Sequence, residues 1–116
     1  MTDVKIVADS ITKAELLRMA RERFGDMVKV VVDVERGIMA VGGEFHADEE
    51  VVLMEQGSRR EHTWGINLYP EKQDDSWIEF DSMINLKPAL GNRSRSVEDE
   101  ATREKVRAIV KKLVIS

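Results

Sequence analysis

The chain contains no cysteine. This absence excludes a disulfide framework, thiolate zinc sites, iron–sulfur clusters and catalysis by a cysteine nucleophile. Only two histidines are present, His46 and His62, so a metal site with three histidine ligands cannot form within one chain. We therefore expect neither a resident metal ion nor a cofactor.

Long hydrophobic runs are also absent. No apolar segment approaches the roughly eighteen residues that a membrane-spanning helix needs, and the N-terminal residues lack the apolar core of a secretion signal. The sequence predicts a soluble, cytoplasmic protein without a membrane partner. The net charge of −4 is modest, so any binding of phosphate groups depends on a local basic patch and not on the field of the whole molecule.

What the chain does contain is enough apolar material for one core. It has 116 residues, of which 42% are hydrophobic. This length is typical of a single domain, and we expect residues 1–116 to form one.

Helical periodicity and helix-start signals mark three segments. Thr12 with Glu15 fits a capping box, as do Ser96 with Asp99. Gly25 stands where the first helix should stop. The predicted helices cover residues 12–24, 47–56 and 97–113, the middle one being short.

Alternation of apolar and polar residues marks the strands. The run 27–35 alternates most clearly, and its even-numbered valines, Val28 to Val34, should be buried while Lys29 and Asp33 face solvent. Further strands are predicted at 38–41, 63–69 and 77–86, and the segment 4–9 reads as either a short strand or a lead-in. The order of elements predicts an α+β domain: an antiparallel sheet of about four strands with two longer helices and one short helix.

Several sequence blocks also resemble a known family. They read ERFGDMVKVVVDVERGIMAVGGEFHADEE, QGS, WGINLYP and IEFDSMINLKPALGNRSRSVED. The chain resembles, over residues 12–112, a family of short uncharacterised bacterial and archaeal proteins, a domain of unknown function. This resemblance implies a small stand-alone domain and assigns no reaction, cofactor or catalytic residue.

The stretch 86–99 gives the first functional hypothesis. It combines a turn, two guanidinium groups and a helix start, and unpaired N–H groups at a helix N-terminus attract anions. The sequence thus predicts a binding module for an anion, with a phosphorylated small molecule or RNA as partner. The predicted ligand-binding residues are Asn92, Arg93, Ser94, Arg95 and Ser96. In the competing interpretation these arginines pair with Glu79, Asp81 or Glu98 and only fasten the loop.

The alternative hypothesis is a small hydrolase-like enzyme. Glu79 and Asp81 share one face of the predicted strand, about 7 Å apart by strand rise, and His46 is a third candidate. Such a set suits general acid–base chemistry, with or without a divalent cation. In the competing interpretation the two carboxylates are the solvated face of a half-buried strand.

Aromatic residues suggest self-association. Tyr69, Trp77 and Met83 form an exposed apolar patch if the strand 77–86 is regular. Since a domain this small has difficulty covering both faces of a sheet, we expect a homodimer formed through this patch or through an edge strand.

Overall fold

The computed structural model describes residues 3–116 and has α+β architecture. Its helices are Lys13–Arg23 (α1), His46–Glu55 (α2) and Glu100–Leu113 (α3). Its strands are Lys5–Val7 (β1), Ile11–Thr12 (β2), Val28–Asp33 (β3), Ile38–Val41 (β4), Thr63–Leu68 (β5), Ile78–Glu79 (β6) and Val114–Ile115 (β7). No helix within residues 3–116 has the length and apolar character required to span a bilayer.

The main sheet has five antiparallel strands in the order β1-β4-β3-β5-β6. β3 lies at its centre, with Val30 opposite Val41 on one side and Ile66 on the other. A second sheet consists of β2 and β7 in parallel and joins the start of α1 to the end of α3. Part of the segment 4–9 forms a strand, β1. The short strands β2 and β7 were not predicted from the sequence.

Helices cover both faces of the main sheet. The larger core contains Val28, Val30 and Val32 together with buried residues of α1 and α3. A smaller core on the other face joins Val31 to Leu53 of α2. Burial of the even-numbered valines is confirmed, although Val34 is only partly buried.

The prediction that the odd-numbered side of β3 faces solvent is wrong in part, because α2 covers much of that side. Val31 and Asp33 are fully buried, and Lys29 is partly buried. The Asp33 carboxylate accepts hydrogen bonds from the backbone of Glu35 and Arg36, at 2.9 and 3.0 Å. A polar residue in an alternating pattern is therefore not always exposed to solvent, since its side chain can be buried and stabilise the turn that follows the strand.

The start of α1 agrees with its predicted cap. Thr12 Oγ1 accepts a hydrogen bond of 3.1 Å from the backbone N–H of Glu15. The Glu15 carboxylate does not close the second half of a capping box but bonds Lys5 of β1 at 2.8 Å. This contact ties the edge of the sheet to the first turn of the helix.

The predicted strand 77–86 is mostly wrong. Only Ile78 and Glu79 pair with β5, after which the chain leaves the sheet and forms a 3-10 turn at Met83–Asn85. Ser82 stabilises this turn because its Oγ accepts a hydrogen bond from the N–H of Ile84. The prediction failed because apolar and polar residues keep alternating after Glu79, in a segment that does not pair with another strand.

The predicted start of the last helix is also wrong. The helix begins at Glu100, and Asp99 is its N-cap, with a carboxylate that accepts from the N–H of Thr102 at 2.9 Å. Ser96 instead accepts a hydrogen bond from Arg103 at 2.7 Å. The loop 91–96 therefore does not lead directly into a helix N-terminus.

Candidate functional site

A cleft of about 510 Å³ opens on the α2 side of the sheet, beside the first residues of α2. Its wall includes both polar and apolar side chains from β3, β5, β6 and the two loops that follow β6. Its polar side chains include Lys29, His46, Asn67, Glu79, Asp81 and Arg95. The cleft thus brings together the whole proposed catalytic set and one arginine of the proposed anion loop.

Three polar residues form a row across the strands at this cleft. Lys29 on β3 lies opposite Asn67 on β5, and Asn67 lies opposite Glu79 on β6. Residues that are directly opposite on neighbouring strands project to the same face of a sheet. The row therefore alternates cation, amide and carboxylate, with the amide in the middle.

Glu79 is held by its neighbours through one oxygen only. Its Oε1 accepts hydrogen bonds from Asn67 Nδ2 at 2.8 Å and from the Tyr69 hydroxyl at 3.1 Å. Partial burial and the hydrogen bond to Glu79 raise the pKa of Tyr69 above its usual 10.0, so the hydroxyl stays a donor. Within residues 3–116, Glu79 Oε2 has no hydrogen-bond partner and Glu79 has no ion pair.

Lys29 is the cation at the other end of the row. Its ammonium group lies 5.2 Å from the ring centre of Phe24 and 5.6 Å from that of Phe45. Such cation–π contacts leave the N–H donors of a lysine largely free. Lys29 forms no ion pair with any residue of the described chain.

Asp81 and Arg95 form an ion pair at the edge of the cleft. Arg95 Nε lies 2.8 Å from Asp81 Oδ1, and the two side chains are 56% and 43% exposed. Water screens a pair with this exposure, so it contributes little to stability. The pairing of Arg95 with Asp81 matches the interpretation in which the arginine fastens the loop, while both groups stay accessible from the cleft.

His46 is buried at the start of α2, and its Nε2–H donates to the carbonyl oxygen of Ile66 at 2.8 Å. Burial lowers the pKa of His46 below its usual 6.5, against opposing effects of the Ile66 carbonyl and the Asn67 side chain. The ring is therefore neutral near pH 7. A neutral ring carries a single proton, which the bond to Ile66 places on Nε2, so Nδ1 is left as an unprotonated acceptor. Asn67 Oδ1 has no hydrogen-bond partner within residues 3–116.

The loop of the predicted anion site satisfies most of its own polar groups. Asn92 is buried, and its Nδ2 donates to the carbonyl oxygens of Asn85 and Ser96, both at 2.7 Å. The Oγ of Ser94 accepts from the N–H of Ser96 at 3.2 Å. The Arg93 N–H donates to the carboxylate of Glu98 at 3.2 Å. Of the five predicted ligand-binding residues, only Arg95 lines the cleft, and anion binding by the others stays a prediction.

Metal ligation is not supported by the arrangement of donors. Within residues 3–116 no group of three histidine, aspartate or glutamate side chains converges as metal ligands would. Glu79 is oriented by amide and hydroxyl donors and Asp81 by a guanidinium group.

The predicted apolar patch is divided between the two faces of the sheet. Trp77 packs against the larger core and lies under Lys13, whose ammonium group is 5.1 Å from the ring centre. Tyr69 and Met83 instead line the cleft on the opposite side. The continuous surface expected from a regular strand does not form, because Trp77 belongs to the 3-10 turn Asp75–Trp77 before the strand and Met83 comes after the strand has ended at Glu79.

Among the polar residues of the cleft, sequence reasoning missed Lys29 and Asn67. Each is a polar residue between apolar neighbours in a strand, which was the only signal that the sequence offered. Their position beside Glu79 depends on the pairing of three strands, which periodicity within one strand does not reveal.

Fold and site together define a small α+β protein with an open polar cleft on one face of an antiparallel sheet. A family model described as "Protein of unknown function (DUF5674)" matches residues 5–113, so the chain belongs to that family. The resemblance to a family of unknown function is thereby confirmed. No curated protein and no solved structure matches the chain.

Proposed function

We propose that this protein binds a small polar molecule in the cleft beside α2. The observation that carries the proposal is the row of Lys29, Asn67 and Glu79, whose two outer charges have no ion-pair partner within the described chain. Ligand sites typically combine a concave surface with a few convergent polar groups. A cleft of about 510 Å³ is of the size that such sites have.

Anion binding enters this proposal through Lys29 and Arg95. Both cations line the cleft, and the backbone of Arg95 is fixed because its carbonyl oxygen accepts from Ser82 N–H at 3.0 Å and from Asn85 Nδ2 at 2.9 Å. The loop 91–96 then serves to position one arginine. A carboxylate or phosphate group of the ligand would accept charge-assisted hydrogen bonds from these cations.

The proposal is tested by nuclear magnetic resonance titration with acetate, inorganic phosphate, sulfate and a panel of amino acids. A ligand of the cleft should shift the backbone resonances of Asn67 and Tyr69 and raise the melting temperature. Lys29→Met should weaken binding of any anionic ligand, whereas Lys111→Met, an exposed lysine of α3, should not. If no compound shifts Asn67 or Tyr69, the cleft is not a binding site for this class of molecule.

Acid–base hydrolysis is the second candidate, because His46, Glu79 and Asp81 converge in one cleft. His46 is the weaker candidate for the base, because it is buried and its Nε2–H is bonded to the carbonyl oxygen of Ile66. Glu79, with Oε2 free, is the residue that would accept a proton from water. Assays with nitrophenyl esters and phosphates should then show an activity that Glu79→Gln removes and Lys111→Met retains.

A further inference from the structure

We propose that the ligand of the cleft is a small zwitterion, an α-amino acid with an apolar side chain. Lys29 and Arg95 would bind its carboxylate, and Glu79 would bind its ammonium group. This inference rests on the proposed function, since it names the class of ligand for the same cleft.

The cleft is lined by charged groups of both signs. Its wall carries two cations, Lys29 and Arg95, and two carboxylates, Glu79 and Asp81. A simple anion would be attracted by the first pair and repelled by the second, and a simple cation would meet the opposite arrangement. Only a ligand with both charges gains from both pairs.

The structure keeps the charged groups of Lys29 and Glu79 from forming an ion pair. Asn67 stands between them and donates to Glu79, while the rings of Phe24 and Phe45 hold the Lys29 ammonium group. The two charges thus do not neutralise each other, although they belong to one row of the sheet. A ligand that bridges them takes the place of the ion pair that they do not form.

The spacing of the row allows one small ligand to reach both charges. Two strand separations, about 10 Å, lie between the Cα atoms of Lys29 and Glu79, and both side chains project to the same face of the sheet. An ammonium and a carboxylate group on one carbon atom can therefore contact both residues.

The rim of the cleft carries exposed apolar side chains. Phe45 and Met83 both line the cleft, and their side chains are 56% and 62% exposed. Large apolar side chains with this exposure beside a polar cleft offer a contact surface for an apolar group. Methionine and aromatic side chains adapt well to ligands of varied shape.

The experiment compares L-methionine with two derivatives that each lack one charge. N-acetyl-L-methionine lacks the ammonium group, and L-methionine amide lacks the carboxylate. Because a hydrogen bond to a charged group contributes about 1.5–3 kcal/mol, each derivative should bind about ten- to a hundredfold more weakly than methionine. Titrations that follow the amide resonances of Asn67, Tyr69 and Met83 give the three affinities.

Variants then assign each charge to its partner. Glu79→Gln should weaken binding of methionine but leave N-acetyl-L-methionine unaffected, and it keeps the oxygen that accepts from Asn67 and Tyr69, so the fold is retained. Lys29→Met should weaken methionine but leave the amide derivative unaffected. Lys111→Met is the matched control on another face of the molecule and should change nothing.

Each result decides the question. If N-acetyl-L-methionine binds the cleft as tightly as methionine, the ligand is an anion and the zwitterion is overturned, while the proposed function stands. If L-methionine amide binds as tightly as methionine, the ligand is a cation, so the zwitterion is again overturned while the proposed function stands. If phosphate or acetate shifts the cleft resonances but no amino acid does, the inference alone fails. If nothing shifts them, the inference and the proposed function fail together.

Discussion

At the scale of single residues, the side chain of Asn85 takes the place of a strand. Its Oδ1 accepts from the N–H of Gly65 at 2.8 Å, and its Nδ2 donates to the carbonyl oxygen of Gly65 at 2.9 Å. A side-chain amide carries the same donor and acceptor as a peptide group, so it can satisfy β5 where β6 has ended. Gly65 is needed there because a Cβ atom would lie 2.5 Å from Ser82 Cβ.

We expect Asn85→Ala to destabilise the protein by about 2–4 kcal/mol, because two buried backbone groups of Gly65 lose their partner. Urea denaturation measures the free energy of unfolding. Met83→Ala, which removes an exposed side chain two residues away, should stay within about 0.5 kcal/mol of wild type. Equal stability of the two variants would show that Asn85 does not support β5.

Glu49 is an acidic residue that lies in the interior of the protein. Its side chain is fully buried, Oε2 accepts from the N–H of Gly43 at 2.9 Å, and Oε1 has no partner in the described chain. Burial raises the pKa of Glu49 well above its usual 4.5, despite the opposing effect of Lys29 and Arg23 and with a smaller contribution from Asp48. The Glu49 carboxyl group therefore keeps its proton to a higher pH than the carboxyl group of an exposed glutamate.

This raised pKa predicts a pH dependence of stability. A group whose pKa is higher in the folded state stabilises the fold below the usual value of 4.5 and loses that contribution as the pH rises through the folded value. The free energy of unfolding should therefore fall as the pH rises above 4.5, and Glu49→Gln should reduce this fall. Denaturation curves from pH 4 to pH 8 give the comparison, and parallel profiles for the two proteins would contradict a raised Glu49 pKa.

At the scale of elements, sequence patterns located those whose signal lies within the element itself. The cap at Thr12 and the alternation in β3 were sufficient to predict α1 and the central strand, and three helices were found in the predicted order, although α3 begins at Glu100 and not at residue 97. The strand 77–86 failed because its end depends on Ser82 and on the contact of Asn85 with Gly65 across the chain. No local pattern encodes such a contact.

The candidate site was predictable to a similar extent. His46, Glu79, Asp81 and Arg95 were chosen for their chemistry, and the structure brings them to one cleft. Their roles did not follow from residue type, because the hydrogen bond from His46 to the Ile66 carbonyl oxygen fixes which ring nitrogen carries the proton. Lys29 was assigned to a solvated strand face, and only the register with Asn67 places it in the cleft.

The cap of α3 gives a prediction at this scale. The carboxylate of Asp99 accepts from both the N–H and the hydroxyl of Thr102, at 2.9 and 2.7 Å, and these bonds lower the pKa of Asp99 below its usual 3.8. Asp99→Ala should lower the melting temperature by several degrees, since an N-cap is lost. Asp99→Asn should lower it less, because an asparagine oxygen also caps a helix. Equal melting temperatures for wild type and Asp99→Ala would place the start of the helix elsewhere.

At the scale of the whole molecule, exposed apolar side chains concentrate on the side covered by α2. Outside the rim of the cleft, they belong to α2 and to the residue that follows the 3-10 turn Met83–Asn85. These exposed residues are Val51, Met54 and Leu86. Concentrations of exposed apolar residues are typical of protein interfaces. The homodimer that the sequence suggested would therefore use this face and not one that contains Trp77.

We expect the protein to sediment at micromolar concentration with twice the chain mass of 13.2 kDa. Two-fold symmetry would place α2 of one chain against the same face of its partner, so that one patch covers the other. Val51→Lys places one positive charge from each chain near this interface, and the repulsion between them should shift the equilibrium to the monomer. Ile115→Lys changes an exposed apolar residue of β7 that is outside the patch, and it should leave the dimer intact. A mass of 13.2 kDa at all concentrations would contradict the dimer, and dissociation by Ile115→Lys alone would move the interface to β7.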